Sequence, residues 1–120
     1  MIEFNKNEFA PYYANYVEKG NTNLSIIDGL LQQYQVVTEF FKLIPSDKLN
    51  YRYSEGKWTV KDIILHLIDA ERIFAYRALR IARNDITELP GFEENDYVIE
   101  ANESERSLSR LLEEYKMVRN

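Results

Sequence analysis

Cysteine is absent from the 120 residues, and histidine and tryptophan occur once each. The first absence removes disulfides, thiolate metal sites and cysteine nucleophiles together. It also leaves any metal to histidine, carboxylate or water. No window approaches the 18 or more apolar residues that a membrane span needs, and the opening residues are mixed and acidic, unlike a signal peptide. A cytoplasmic protein that does not enter membranes is therefore the expectation. No internal repeat, low-complexity tract or strand-period segment is visible, and there is no phosphate loop, nucleophile elbow or Ser-His-Asp spacing. A net charge of -5 and a pI of about 4.9 argue against nucleic acid and anionic membrane as partners.

What is present is an ordinary globular composition, 45% hydrophobic with nine tyrosines, of a length that makes one domain. Its organising stretch is Gly56-Lys57-Trp58-Thr59-Val60-Lys61-Asp62, continuing to Arg72. Thr59 has the chemistry of an N-cap, with Asp62 three residues on to complete a capping box at the positive helix end. Trp58, just outside the cap, is placed to pack on Ile63 as a hydrophobic staple. From Val60, apolar residues at Ile63, Ile64, Leu67, Ile68, Phe74, Ala75, Ala78, Leu79 and Ala82 keep helical spacing to about Arg83. Glu71 falls near the centre of this stripe. His66 lies on its flank, on a face shared with Asp62, Ile73 and Arg77, while Asp69, Arg72, Tyr76, Arg80 and Arg83 point outward. The arginines read mainly as a solvated face.

Around this helix the chain is punctuated by turn signals. Residues 1–20 are dense in aromatics, with Pro11 suited to the first turn of a short helix from about Ala10. Asn21, Thr22 or Asn23 can cap a second helix whose face carries Ile26, Ile27, Leu30, Leu31, Tyr34, Val37, Phe41 and Ile44, and which stops before Pro45. Residues 45–57 form a connection with one short helical turn at Ser46 to Leu49, and residues 84–96 form a second long connection. From Asn102 or Ser104 another helix begins, with Leu108, Leu111, Leu112, Tyr115 and Val118 on one face and Glu105 available for capping. The stripe still runs at Val118 with no Gly or Pro after it. The fold class expected is all-α, an up-and-down four-helix bundle whose C-terminal helix is missing from a truncated chain.

Few residues can carry chemistry. His66 is suited to ligate a metal or act as a general base, or to be a hydrogen-bonded structural residue. Glu71 is either a buried acid with a raised pKa or a structural carboxylate paired with Arg52, Arg77 or a tyrosine hydroxyl. Asp62 has a capping task, and Asp69 is expected to be mostly solvated.

The run from Tyr51 to Asp62, the H-L-x-D-x-E order from His66 to Glu71, then Leu89-Pro90-Gly91-Phe92 and Glu105-Arg106-Ser107-Leu108, resemble the DinB superfamily. The resemblance implies a four-helix bundle, often homodimeric, with a nickel or zinc ion held by three histidines. It further implies a metal-dependent transferase, hydrolase or isomerase acting on small molecules, in some members with a low-molecular-weight thiol such as bacillithiol. By position His66 matches the first histidine. The remaining two are expected on the missing C-terminal helix, so the chain lacks a complete metal site. Trp58, Asp62 and Arg77 are the pocket candidates and Glu71 the buried acid. The alternative is a non-catalytic helical module that uses an open stripe at Leu111, Leu112, Tyr115 and Val118 to dimerise or to receive a partner helix.

Overall fold

A computed structural model of the 120-residue chain describes residues 4–5, 7–20, 23–101 and 105–120. Its described residues form five α-helices and no strand: α1 (Ala14–Gly20), α2 (Ile26–Lys42), α3 (Val60–Ala82), α4 (Glu94–Ala101) and α5 (Leu108–Arg119). Short 3-10 turns at Pro11–Tyr13 and Ser46–Lys48 precede α1 and follow α2. The all-α expectation holds. The chain divides into two compact units, Met1–Val37 and Thr38–Asn120.

In the first unit, Pro11 sits in the first turn of its 3-10 helix, where its missing N–H costs nothing. Tyr12, Tyr13 and Tyr16 cluster with ring centroids 5.1 to 6.4 Å apart. The start of α2 differs from the sequence reading. Ser25 supplies the cap, its hydroxyl accepting from Asp28 N at 3.0 Å and donating to the Asp28 carboxylate at 2.6 Å. Of the candidates named for that role, Asn21 and Thr22 lie outside the described residues.

The second unit is built on α3. Thr59 Oγ1 accepts from Asp62 N at 3.1 Å and Asp62 Oδ2 accepts from Thr59 N at 2.8 Å, so the capping box forms as read, with both residues buried. Lys61 N donates to Leu49 O at 3.2 Å, which ties the preceding connection to the first turn of the helix. The connection turns through Gly56 at a φ of 72°, a conformation open to glycine. At the other end Asn84 takes a left-handed φ of 54° and Asp85 pairs with Arg80, folding the chain back on the last turn. The hydrogen bonds from Arg80 and Thr87 hold the Asp85 carboxyl down at about 2.

Helix α5 packs along α3, and α4 packs against α3 as well. Ile64, Ile68 and Leu111 are almost fully enclosed at this seam, each worth about 1.5–3 kcal/mol of burial. Arg119 pairs with Glu71 across it, and Arg72 pairs with Glu114 at 2.5 Å. Glu71 therefore has Arg119 as a partner, a residue the sequence reading did not name for it.

Three further expectations are corrected. Residues 94–101, read partly as connection, form α4. The last helix starts at Leu108, with Ser107 Oγ accepting from Arg110 N at 3.3 Å, rather than at Asn102 or Ser104, which lie outside the described residues. Leu111, Leu112 and Tyr115 are buried rather than open, because α3 already covers that face. Exposed apolar side chains lie elsewhere, among them Phe74, 60% exposed, and Ile81, 71% exposed, on the second half of α3.

Candidate functional site

The first turns of α3 carry the chain's single imidazole into a small aromatic and polar cluster. Trp58 and His66 lie with ring centroids 5.0 Å apart and planes tilted by 46°. The contact follows from the capping box, which fixes the backbone at Thr59 and so aims the residue before it along the helix. Trp58 Nε1 donates to Asn95 Oδ1 at 3.1 Å, across 37 residues of sequence. Asn95 is itself oriented by Glu93, which accepts from its amide group at 2.9 Å and its backbone N at 3.2 Å. Trp58 thus clamps α4 to the His66 turn.

One turn along, Asp69 is more enclosed than its outward position suggested, with its side chain 23% exposed. Burial pushes its carboxyl above the usual aspartate range, with Glu114 adding to the rise; Arg72, 3.7 Å away, opposes it, as do His66 and Arg106. Arg72 also donates to Glu114, which Arg106 holds from its other oxygen. These hydrogen bonds, that from Arg106 first, keep the Glu114 carboxyl below its ordinary value. Arg72 is therefore engaged with two acids while its side chain stays half exposed.

Arg72 is also where this cluster meets a cleft. Between the middle of α3, residues 89–92 and α4 lies a cavity of about 310 Å³, lined by Arg72, Ile73, Tyr76, Arg77, Leu89, Pro90, Gly91, Phe92 and Tyr97. Arg77 Nη2 donates to Pro90 O at 3.0 Å, pinning the 84–96 connection over the helix. Phe92 and Tyr97 form its aromatic wall, with ring centroids 5.3 Å apart.

Of the residues singled out from sequence, the structure brings Arg77 into this cleft and puts Trp58 against His66. Asp62 stays in the capping box, 3.8 Å from Arg52, and Glu71 stays in its pair with Arg119; neither lines the cleft. Asn95, Tyr97 and Glu114 were not read as site residues. Asn95 and Glu114 meet partners 37 and 42 positions away, and no local spacing announces such pairs, whereas Tyr97 stands against the nearby Phe92.

The arrangement is that of a helical protein with a small-molecule-sized cleft against one long helix. The chain belongs to the DinB superfamily, whose family model matches residues 30–120. No curated protein and no solved structure matched it. The superfamily is generally metal-associated. His66 is the only imidazole in the chain, and the described residues contain no group of three His, Asp or Glu side chains placed to hold an ion. Asp62, on the same helix face, is spent on the Thr59 amide and the Arg52 guanidinium. The described residues do not fit a three-ligand centre.

Proposed function

We propose that this protein acts on small organic molecules as a transferase or hydrolase, holding its substrate in the cleft beside α3 and using the His66–Asp69 turn for proton handling. The observation that carries the reading is Arg72, which lines the cleft and stands 3.7 Å from Asp69, a carboxyl that burial holds toward its protonated form. Asp69 and His66 do not line the cleft themselves; a perturbed acid joined to it through Arg72, one turn from the only imidazole, has the makings of a general acid and base pair. A low-molecular-weight thiol as co-substrate is the finer form of the proposal. A nickel or zinc ion would need donors beyond His66, from a second chain or from residues outside these 120.

The test is transfer of a bacillithiol-type thiol to an activated aryl halide. His66→Ala and Asp69→Asn should each lower kcat/KM by about a hundredfold or more, the lower range for a positioned acid or base, with helicity unchanged. Unaltered transfer in both variants would overturn the assignment. Elemental analysis of the same preparations, purified without added metal, addresses the ion: about one equivalent lost in His66→Ala supports His66 as a ligand, and stoichiometric metal retained there removes it.

The uncovered side chains of Phe74 and Ile81 favour a second reading, a helical module that associates with itself through the second half of α3. Sedimentation showing only monomer at the highest soluble concentration would count against it.

A further inference from the structure

The cleft carries a charge imbalance that points to its ligand. Two arginines line it. Arg72 is met by Asp69 at 3.7 Å and Glu114 at 2.5 Å. Arg77, half-buried, is met by a neutral group: its Nη2 donates to Pro90 O at 3.0 Å, and its guanidinium stands 5.9 Å from the Phe74 ring centre. No carboxylate among the described residues pairs with it. A guanidinium has five N–H donors in a planar fork, so the Pro90 bond leaves most of the fork unspent. A partly desolvated cation without a counter-charge is costly, and an anionic ligand would relieve that cost.

Beside it, Tyr76 Oη accepts from Arg80 Nη1 at 2.8 Å. That hydroxyl keeps its own proton to donate, and the adjacent guanidinium polarises it into a stronger donor. The remaining wall is apolar and partly aromatic, formed by Ile73, Pro90, Phe92 and Tyr97, the two rings tilted by 50° to each other. At about 310 Å³ the cavity sits at the small end of ligand sites, which run from roughly 300 to 1,000 Å³.

We propose that the cleft takes a small organic anion with a flat aromatic or cyclic body, its carboxylate-type group held by the Arg77 fork and the Tyr76 hydroxyl. The inference rests on the cleft being the substrate site and names the class of molecule that enters it. It is tested by calorimetric titration of the protein with naphthalene-2-carboxylate and with its neutral isostere, naphthalene-2-carboxamide. The carboxylate should bind at least about tenfold tighter than the amide, the effect of one charge-assisted hydrogen bond. Arg77→Gln should erase that preference, read as the ratio of carboxylate to amide affinity within each variant, and Arg77→Lys should keep part of it. Equal affinities in the unaltered protein, or a carboxylate preference that survives Arg77→Gln, would overturn the anion assignment and leave the cleft as a binding site. Binding of neither probe would remove the cleft itself, and with it the reading beneath.

Discussion

Thr59→Ala is the perturbation that reaches furthest, because one hydroxyl starts the helix on which the whole candidate site is mounted. Thr59 Oγ1 accepts from Asp62 N at 3.1 Å at a position where both residues are buried, so water cannot replace the lost acceptor. Loss of an N-cap costs about 0.5–2 kcal/mol, and an orphaned buried amide about 1–3 kcal/mol. These describe the same event and do not add. The Asp62 carboxylate still accepts from Thr59 N in the variant, which keeps the expected loss near 1–2 kcal/mol. Thr59→Ser keeps the hydroxyl and removes one methyl, for a loss of at most about 0.8 kcal/mol. Urea unfolding followed by fluorescence suits the test, since Trp58 is the only tryptophan and sits beside the cap in the second unit. The slope against urea should be unchanged and the midpoint lowered. A double-mutant cycle with Asp62→Ala should show the two residues coupled. A loss below about 0.5 kcal/mol for Thr59→Ala, the bottom of the capping range, or additive behaviour in the cycle, would refute the reasoning.

Ile68→Ala, in the seam between α3 and α5 where the side chain is 0% exposed, should cost about 2–5 kcal/mol, whereas Leu111→Met should cost under about 1.5 kcal/mol; comparable losses in urea unfolding would mean the seam is not close-packed. Acid titration of stability separates two carboxylates of opposite sign. Glu114 has its folded pKa held below the ordinary 4.5, so its contribution is present above that value and lost as pH falls through the lower folded one. Glu114→Gln should therefore flatten the fall in the urea midpoint below pH 4.5, and an unchanged slope would show that its two arginines do not hold it. Asp69 is raised above 3.8, so its charged form costs stability as pH rises through the folded value, and Asp69→Asn should be no less stable than the parent at neutral pH.

The elements that were legible were those whose cause is local. Apolar positions at helical spacing from Val60 to Ala82 and the Thr59–Asp62 pair three residues apart specify α3 to within a residue, because periodicity and capping act within a few turns of chain. Pro11 and Pro45 mark their boundaries for the same reason. Helix α4 was harder, since eight residues with Val98 as their one buried side chain give little amphipathic pattern. Its position depends on docking to α3. The apolar face of α5 was legible as a face, but its state was not. Spacing shows that Leu111, Leu112 and Tyr115 line up, and only the packing against α3 shows them covered.

The site divides along the same line. The single His66, the absent cysteines and the motif order of the DinB superfamily are properties of the string of residues. They fix which chemistry is open to the chain and which is closed before any folding is considered. The tertiary structure decided what each charge meets: Glu71 finds Arg119 48 positions away, Arg72 finds Glu114 42 positions away, and Arg77 finds a neutral carbonyl where its neighbours find acids. Charge compensation and burial arise between segments that sequence distance does not relate. For that reason the helices could be read from the residues, while the cleft beside α3 and the neutral partner of Arg77 could not.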